Sequence, residues 1–572
     1  MTLRRRPDAR WEQPARPDPT AAAVLASALS IPETLGQLLV ARGHTDVRAA
    51  RQFLRPELDQ LHDPMAIAGM SEAVDRLAAA IRAGEMIMVH GDYDVDGMSS
   101  TALLTRSLRA LGGQVTPFIP DRQSDGYDLG PAGVEAARRA RAAVVLTCDC
   151  GTTALQPARD LAAAGTDLII SDHHLPGPEL PQALAILNPR RADDTSPDKD
   201  LAAVGVAFKL ATALTAALGG NQNVVLNQLD LVALATVADV APLRGENRVF
   251  VRRGLALMRE TKNRGLQALI RSSGLEGKEI TAGRIGFILA PRLNALGRID
   301  RALLGVDLLL AERDDDALTI ARHCEERNRE RQDLDRAILE GVMKRVEALD
   351  GDETWGIALA DRSWHPGVIG IVASRVVEQT GRPAFLVAVN DGVGKGSGRS
   401  IPAFDLHAAL TSCADLLVKY GGHKAAAGLT IDPARMDEFA ERFNAVARER
   451  LTEDDLLRVV RIDLELPIAA ATADLERILR HFEPFGIGNP GPTFAARRVR
   501  IAGGATRIGA DGLKCMVDAP GGAIEAVGWG IGHRAGELGR DAVVDLAYKL
   551  ERNTFRGADT LQFGIVDFRP AT

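Results

Sequence analysis

Residues 86–97 read Met-Ile-Met-Val-His-Gly-Asp-Tyr-Asp-Val-Asp-Gly, in which a short apolar run is followed at once by potential metal ligands. These ligands are His90, Asp92, Asp94 and Asp96. On extended backbone, alternate side chains point to the same face, so we expect all four to project to one side. Crowded carboxylates repel one another unless a cation lies among them. A single helix-capping Asp would leave the other ligands unexplained, so the stretch predicts a hard-metal site.

Strand-like and helix-like patterns alternate over residues 71–245, which predicts a parallel sheet with helices on both faces. Open sheets of this kind bind ligands at the carboxyl ends of their strands. Further Asp and His residues follow predicted strands at Asp149 and at residues 172–174, and Asp239 ends an apolar helix. We therefore expect these distant ligands to converge on residues 90–96 at one edge of the sheet.

The remainder of the chain predicts two further folded regions. Residues 306–349 are almost free of Pro and Gly and interleave acids with bases, which is typical of one long helix. Strand and helix patterns return after residue 351, and short β-like runs after residue 454 predict a small all-β barrel. The expected fold class is α/β, with two α/β lobes joined by a long helix and a C-terminal OB-like barrel.

We divide the chain where the periodicity or the charge pattern changes. The segments are an N-terminal tail with a helical lead-in (1–70), a metal-binding domain (71–245), a basic helical segment with the connecting helix (246–350), a second α/β domain (351–453) and the OB-like domain (454–572).

Bulk composition argues against a membrane protein and against a disulfide-rich secreted one. No uninterrupted apolar run reaches membrane-spanning length. Five cysteines in 572 residues, in no disulfide-like arrangement, fit a reducing compartment. We expect a cytoplasmic protein that does not enter a membrane, and we expect a monomer.

The charge distribution points to nucleic acid. The whole chain has a formal net charge of −7, yet residues 244–301 hold thirteen Lys or Arg and five Asp or Glu. Such a patch is typical of a phosphate-backbone footprint, and a solvated helical face is the alternative. Arg497, Arg498 and Arg500 have no acid nearby in sequence and would suit a nucleic-acid face.

A glycine-rich run, Gly-Val-Gly-Lys-Gly-Ser-Gly-Arg-Ser, occupies residues 392–400. Its lysine is not followed by the Ser or Thr of a Walker loop, and Pro402 precedes the next helix, unlike a dinucleotide fingerprint. We expect its exposed backbone N–H groups, beside Lys395, Arg399 and Ser400, to hold a phosphate. A flexible hairpin is the alternative.

The ligand types indicate a reaction class. Asp and His ligands without cysteine suit Mg²⁺ or Mn²⁺. Two such ions that share a carboxylate activate water and hold the oxygens of a phosphoryl group during in-line displacement. We therefore expect hydrolysis of a phosphate ester or anhydride.

These residues resemble the motifs of the DHH phosphoesterase superfamily. The matching positions, in the order of the family motifs, are His90 with Asp94 and Asp96, then Asp149, then Asp172-His173-His174, then Asp239. Gly421-Gly422-His423 resembles the motif of the DHHA1 companion domain. Four stretches are similar to the single-strand-specific DNA exonucleases of the superfamily: residues 90–97, 291–298, 364–370 and 484–490.

The resemblance implies degradation of single-stranded DNA from 5′ to 3′ into mononucleotides, in DNA repair and recombination, with two Mg²⁺ or Mn²⁺ ions. It implies that one ion is held by His90, Asp94 and Asp149. The ligands implied for the other ion are Asp96, Asp149, His173 and Asp239. The bridging residue is therefore Asp149.

The resemblance also implies roles near the scissile phosphate. His174 would act there as an electrostatic or acid group, while Asp92 would support the metal ligands, so the catalytic candidates are His174, Asp149 and Asp92. The candidates for holding DNA or phosphate are Arg292, Asn294, Arg298, His365, Arg399, Ser400 and His423. Besides single-stranded DNA, the implied partners are a single-strand-binding protein and a RecQ-type helicase.

Two alternatives remain open. One is a DHH-type oligonucleotide nuclease or pyrophosphatase, although a small diphosphate has no need of the basic segment or the β-rich C-terminal region. The other is a single-strand-binding module with a non-catalytic metal site, although binding alone does not require a complete ligand set.

Overall fold

The computed structural model describes residues 9–13, 15–122, 124–553 and 559–571, which form two compact units. The first unit comprises Arg51–Arg329 and His481–Gly491. The second unit comprises the described parts of Met1–Ala50, Glu330–Arg480 and Pro492–Thr572.

The strands, in chain order, are β1 (Arg10–Glu12), β2 (Met86–Gly91), β3 (Gln114–Phe118), β4 (Val144–Cys148), β5 (Asp167–Ser171), β6 (Ala185–Leu187), β7 (Ile357–Asp361), β8 (Ala384–Asn390), β9 (Val393–Arg399), β10 (Leu417–Gly422), β11 (Ala426–Ile431), β12 (Val459–Arg461), β13 (Leu464–Glu465), β14 (Phe494–Arg500), β15 (Thr506–Ile508), β16 (Gly512–Val517), β17 (Ile524–Trp529), β18 (Val543–Asn553) and β19 (Thr560–Pro570). The α-helices are α1 (Pro19–Leu29), α2 (Glu33–Ala41), α3 (Val47–Leu54), α4 (Met70–Ala83), α5 (Val95–Ala110), α6 (Pro131–Ala140), α7 (Leu155–Ala163), α8 (Ala203–Ala217), α9 (Asn223–Leu226), α10 (Leu229–Ala238), α11 (Gly245–Met258), α12 (Arg264–Ser272), α13 (Ala282–Arg284), α14 (Ala290–Ile299), α15 (Leu303–Leu310), α16 (Asp314–Glu347), α17 (Ile369–Thr380), α18 (Leu406–Thr411), α19 (Met436–Arg450) and α20 (Ala473–Leu479).

The first unit contains a sheet of five parallel strands in the order β3-β2-β4-β5-β6. Side chains of one face, among them Ile87 and Val89, share a core with helices α4 and α8. Side chains of the opposite face, such as Met88, pack against α6 and α7. The predicted parallel sheet with helices on both faces is therefore confirmed.

The chain leaves strand β2 and enters helix α5 four residues later. Asp94 caps this helix, since its carboxylate accepts hydrogen bonds from the N–H groups of Asp96 (2.8 Å) and Gly97 (3.1 Å). The turn leaves no room for a side chain at Gly97, because a Cβ there would lie 2.3 Å from the carbonyl oxygen of Asp92. The expectation that four ligands alternate along extended backbone is wrong, because only His90 belongs to the strand.

The segment 481–491, which we call the strap, packs on helix α11 within the first unit. The buried guanidinium of Arg248 donates hydrogen bonds to the carbonyl oxygens of Phe482 (3.0 Å) and Glu483 (2.9 Å). The same guanidinium lies 3.9 Å from the ring centre of Phe53. One buried cation therefore fastens the strap to the helix.

Replacing Arg248 by methionine would leave the buried carbonyl oxygens of the strap without their donor. We expect R248M to lower the free energy of unfolding by about 2–4 kcal/mol, since each buried polar group left unsatisfied costs about 1–3 kcal/mol. Arg252, one turn away and only half-buried, is the matched control, and we expect R252M to change stability by less than about 0.5 kcal/mol. Urea and thermal unfolding of the full chain measure both variants, and equal losses would contradict the role given to Arg248.

The second unit contains a five-stranded mixed sheet in the order β10-β11-β9-β8-β7. Strand β9 is built from the glycine-rich run and pairs with β8 on one side and β11 on the other. The expectation that this run exposes its N–H groups to a phosphate is wrong, because they lie in the interior of the sheet. Gly394, Gly396 and Gly398 share one face, where a Cβ on Gly398 would lie 2.4 Å from the ring of Phe385. The glycines thus allow large side chains of the neighbouring strands to pack closely.

The C-terminal part of the second unit is a seven-stranded sheet in the order β13-β14-β18-β19-β17-β16-β15. Ala502 donates its N–H to the carbonyl oxygen of Met516 (2.8 Å), and Asp518 donates to that of Arg500 (3.0 Å). These hydrogen bonds bring the ends of β14 and β16 together, although the two strands are not neighbours in the sheet order.

The N-terminal residues also join this part of the second unit. Strand β1, in a region expected to be a tail with a helical lead-in, pairs in parallel with β12. The indole N–H of Trp11 donates a hydrogen bond to the carboxylate of the buried Asp567 (2.6 Å). The first strand is therefore anchored to residues near the other end of the chain.

Two of the three arginines expected to form an open nucleic-acid face are engaged in ion pairs. Arg497 contacts Glu465 (2.9 Å) and Asp545 (2.8 Å). Arg500 contacts Asp541 (2.8 Å). The expectation that no acid lies nearby is wrong for Arg497 and Arg500, because acids that are distant in sequence lie beside them in the fold. The side chain of Arg498 is exposed.

Helix α16 spans 34 residues and confirms the predicted long helix. It begins later than expected, because residues 303–310 form the separate helix α15. Its first turn carries Asp314, Asp315 and Asp316, whose negative charge stabilises a helix N-terminus. The helix runs from the first unit into the second.

Among the described residues, no single helix is both long and apolar enough to cross a membrane. Helices α1 and α2 form the one bent pair there that reaches the length and composition of a membrane span when the two are taken together.

Candidate metal centre

The carboxyl ends of adjacent parallel strands carry the predicted ligands. Asp149 follows β4, and residues 172–174 follow β5. Asp149 has a left-handed backbone (φ +65°) and donates its N–H to the carbonyl oxygen of Ser171 (3.0 Å), which ties the two strand ends together. Asp239 reaches the same region from the end of helix α10. The sheet thus gathers residues that are far apart in sequence.

Ligand atoms that lie within 4.8 Å of one another form three groups among the described residues: Asp92, Asp94 and Asp149; Asp149, His173 and His174; and Asp96, His173 and Asp239. Nε2 of His173 lies 3.2 Å from Oδ1 of Asp149, and Nδ1 of His173 lies 3.8 Å from Oδ2 of Asp239. Asp149 and His173 each belong to two groups, so the three groups form one continuous centre.

His90 lies outside all three groups of described residues. Strand alternation places it on the same face as Met88, so that its ring packs toward helix α6. Its Nδ1 lies 3.5 Å from Sγ of Cys150, and a Cβ on Gly133 of α6 would lie 2.7 Å from its Nε2. In this arrangement Asp92, rather than His90, lies with Asp94 and Asp149.

Burial and mutual repulsion raise the pKa values of several carboxylates in the centre. Burial is the largest cause at Asp92, Asp96, Asp149 and Asp239, and the charge of a neighbouring aspartate is the next. The pKa of Asp96 rises to about 7. A divalent cation among these groups would favour their ionised forms and reverse the shift.

Several buried ligand atoms also have no hydrogen-bond partner among the described residues. They are Oδ1 of Asp92, Oδ1 of Asp149, Nε2 of His90 and Nε2 of His173. Buried polar atoms in proteins are nearly always paired. Carboxylate oxygens mixed with imidazole nitrogens are ligands of Mg²⁺ and Mn²⁺. The residues present therefore fit a divalent metal centre.

The two adjacent histidines have different electrostatics. Nδ1 of His174 lies 2.8 Å from Oδ1 of Asp172. Burial lowers the pKa of His174, but the hydrogen bond to Asp172 and the nearby carboxylates outweigh it and raise this pKa to about 9. Burial and the charge of His174 lower the pKa of His173 to about 4. A neutral His173 suits a metal ligand, and a protonated His174 suits contact with a phosphate.

Replacing Asp172 by asparagine should lower the pKa of His174, because the imidazolium loses its negative partner. In the metal-free wild-type chain, the stability contributed by protonated His174 is complete below pH 6.5 and is lost as the pH rises through about 9. In D172N this loss should begin at lower pH. NMR titration of the His174 ring measures the midpoint, and an unchanged midpoint would contradict the pairing.

Two of the DNA-binding candidates in the first unit are engaged within the protein. Oδ1 of Asn294 accepts a hydrogen bond from the N–H of Val95 (3.1 Å) and so holds the start of helix α5. Arg292 is mostly buried and forms an ion pair with Glu325 (2.6 Å). The third candidate, Arg298, lies in the last turn of helix α14.

In the second unit, Arg399 lies on β9, where it donates a hydrogen bond to Oγ of Ser397 (3.1 Å). Ser400 lies beyond the strand, and its hydroxyl donates to the carbonyl oxygen of Phe404 (2.9 Å). Side chains two residues apart share a strand face. Ser397 is therefore the serine that accompanies Arg399, and this follows from a strand that the sequence pattern did not reveal.

The other two candidates in the second unit lie in turns. Nδ1 of His365 accepts a hydrogen bond from the N–H of Gly367 (3.1 Å), just before helix α17. His423 is exposed in the turn between β10 and β11.

The structure also brings two residues to the metal centre that the sequence analysis did not identify. Oδ1 of Asp128 accepts a hydrogen bond from the N–H of Gly151 (2.6 Å), and Oδ2 accepts one from the hydroxyl of Thr153 (2.8 Å). The hydroxyl oxygen of Tyr127 lies 3.3 Å from Nε2 of His174. No motif marks these positions, because their contacts form between separate loops.

Comparison with known proteins divides the chain into three matched regions. Residues 86–236 match the N-terminal domain of the DHH family, residues 340–449 match the DHHA1 domain, and residues 462–567 match the RecJ OB domain.

A relative from Dickeya dadantii, the single-stranded-DNA-specific exonuclease RecJ, is 36% identical to this chain, and the match covers 99% of both proteins. This chain belongs to the RecJ family. The RecJ of Bacillus subtilis is 39% identical over 84% of this chain, which covers 61% of that protein's length. The crystal structure of Thermus thermophilus RecJ with Mn²⁺ is similar at a TM-score of 0.84 and 33% identity, over 98% of this chain and 80% of that one.

Proposed function

We propose that this member of the RecJ family hydrolyses the phosphodiester bonds of single-stranded DNA from the 5′ end and releases mononucleotides. The observation that carries the proposal is the buried centre in which Asp149 and His173 connect three groups of ligand atoms. The similar proteins from Dickeya dadantii and Bacillus subtilis are named single-stranded-DNA-specific exonucleases. We place the activity in DNA repair and recombination, in the cytoplasm.

We propose that the centre takes two Mg²⁺ or Mn²⁺ ions, as the similar Thermus thermophilus protein was crystallised with Mn²⁺ and with Mg²⁺. When bound, such ions lower the pKa of water and hold the oxygens of a phosphoryl group. Asp96, Asp149, His173 and Asp239 would hold one ion. Asp94 and Asp149 would hold the other, with Asp92 beside them and His90 as the ligand that the family resemblance adds.

The residues beside the ligands would position the phosphate. Nδ1 of His174 is hydrogen-bonded to Asp172. Nε2 of His174 is therefore the nitrogen that would contact a phosphate oxygen. In the metal-free chain the pKa of His174 is about 9, and the protonated form of this side chain would donate to that oxygen. Asp149, which belongs to two of the groups of ligand atoms, would be a ligand of both ions.

We assign strand binding to the regions outside the metal-binding domain (71–245). The match to the RecJ OB domain supports single-strand binding by residues 454–572. Arg399 with Ser397, and His365 and His423, are our candidates for phosphate contacts in the DHHA1 domain (351–453). A single-strand-binding protein and a RecQ-type helicase are the partners that we propose from the family resemblance.

Digestion of single strands labelled at the 5′ or the 3′ end, with Mn²⁺ or Mg²⁺ and with pyrophosphate as a competing substrate, tests the proposal. We expect labelled mononucleotides to appear first from the 5′-labelled strand, and little phosphate release from pyrophosphate. Asp149→Ala should abolish hydrolysis and leave single-strand binding within about threefold, because Asp149 belongs to the groups of metal-ligand atoms and is buried. Retained turnover in D149A would exclude the two-metal assignment, and preferred cleavage of pyrophosphate would favour the alternative enzyme.

The variant Arg298→Ala tests whether the basic segment contacts the DNA strand. If Arg298 contacts one phosphate, Arg298→Ala should weaken single-strand binding and reduce the salt slope of the binding constant by about 0.7, the value expected for one contact on a single strand. Arg292→Ala is the matched control, because Arg292 is paired with Glu325, and its salt slope should match the wild-type value. Fluorescence anisotropy with D149A as the background measures binding without cleavage. If the salt slopes of R298A, R292A and the parent protein were equal, Arg298 would have a role in folding only and would not contact the strand.

A further inference from the structure

The hydroxyl of Tyr127 lies beside the imidazole ring of His174. The hydroxyl oxygen of Tyr127 lies 3.3 Å from Nε2 and 3.5 Å from Nδ1 of His174. Oδ1 of Asp172 lies closer to Nδ1, at 2.8 Å, so Nε2 is the nitrogen that can donate to a ligand. The rings of Tyr127 and His174 meet edge to face, with centroids 6.0 Å apart. A phosphate oxygen that accepts a hydrogen bond from Nε2 would therefore be within reach of the phenol hydroxyl.

Tyr127 is held at this place by the residue that follows it. Asp128 has a left-handed backbone (φ +76°), which is uncommon for a residue other than glycine and costs energy. Its carboxylate is bonded to the N–H of Gly151 (2.6 Å) and to the hydroxyl of Thr153 (2.8 Å). Gly151 is two residues from Asp149, so the loop that carries Tyr127 is fastened directly to the loop that carries a metal ligand.

The exposure of Tyr127 shows that packing does not account for its position. It is 48% exposed, although it lies against the ring of Tyr93 (centroids 6.0 Å apart). Asp92, Asp149 and Asp172 are buried in the same region, with exposures of 4% or less. An aromatic side chain with a polar tip, held open at the edge of a buried charged centre, is suited to contact a ligand there.

We propose that Tyr127 is a further catalytic residue of this centre, and that its hydroxyl donates a hydrogen bond to an oxygen of the phosphodiester that His174 also contacts. The assignment rests on the proposed phosphodiester hydrolysis. No bond to Tyr127 forms or breaks, and its proton stays on the phenol, whose ordinary pKa is about 10. The hydroxyl stabilises the negative charge that develops on the phosphoryl oxygens during displacement.

Tyr127→Phe removes only the hydroxyl and is the decisive variant. We expect the full-length Y127F protein with Mn²⁺ to lose about 10- to 100-fold in kcat on single-stranded DNA, which is the usual effect of one hydrogen bond to a charged group. KM should change by less than about threefold, because the contact strengthens in the transition state. Mn²⁺ binding, measured by calorimetry, should not change. A wild-type kcat in Y127F would overturn the proposal.

Tyr548→Phe is the matched control, because it removes the same hydroxyl from the buried core of the second unit, where it donates to the carbonyl oxygen of Leu466 (2.8 Å). We expect Y548F to keep the wild-type kcat. A comparable loss in both variants would mean that any lost phenol hydroxyl impairs the enzyme, and would overturn the catalytic role. If wild-type protein did not cleave single strands at all, the proposed function would fail, and this result is distinct from cleavage that is equal in wild type and Y127F.

Asp128→Asn tests the positioning of Tyr127. The amide weakens the hydrogen bonds to Gly151 and Thr153, so kcat should fall, but by less than in Y127F. If Asp128 acts through Tyr127, the double variant D128N/Y127F should have nearly the same kcat as Y127F alone. The effects of two residues that act through one contact are not additive. Fully additive losses would show that Asp128 does not act through Tyr127.

Discussion

Several carboxylates are buried together at one edge of the parallel sheet, and their mutual repulsion governs the first unit. Asp92, Asp96 and Asp149 are each exposed by 4% or less, and they lie too close together to be ionised without a counter-charge. Positive charges on Arg122, Arg190 and His174 act on Asp92 and Asp239, but burial and the charges of neighbouring aspartates outweigh them. The protein therefore holds the carboxylates in a geometry that is stable only when protons or metal ions are present, and this is why the centre fits a pair of divalent cations.

Most of the surrounding polar contacts keep this centre in place. Asp94 caps helix α5, and Asn294 accepts the hydrogen bond of the next N–H at Val95. Asp172 orients His174, and Asp128 fastens the loop of Tyr127 to the loop of a metal ligand. Side chains that resemble binding residues in sequence are thus used as supports. Residues that position the metal ligands must themselves be fixed by hydrogen bonds, because small displacements of ligating or reacting atoms greatly reduce the rate of catalysis.

The second unit shows how neighbours in space change the meaning of a sequence pattern. The glycine-rich run has the composition of a phosphate loop, but it forms the central strand β9, and its glycines admit side chains such as Phe385. Arg497 and Arg500 lack acids nearby in sequence, but they meet Asp545 and Asp541 across the sheet. The positive charge available to a DNA strand is therefore smaller than the sequence suggests.

Local patterns along the chain were enough to predict the fold class, the parallel sheet, the long helix and the chemistry of the centre. These follow from local periodicity and from the side-chain types near predicted strand ends, which short segments carry independently. Three features became visible only in the folded chain: the backbone turns after β2, His90 faces helix α6, and Asp149 and His173 connect the groups of ligand atoms. Ion pairs, strand faces and loop contacts such as those of Tyr127 depend on residues that are distant along the chain. Their pairing is set by the packing of whole elements, so no local pattern reveals it.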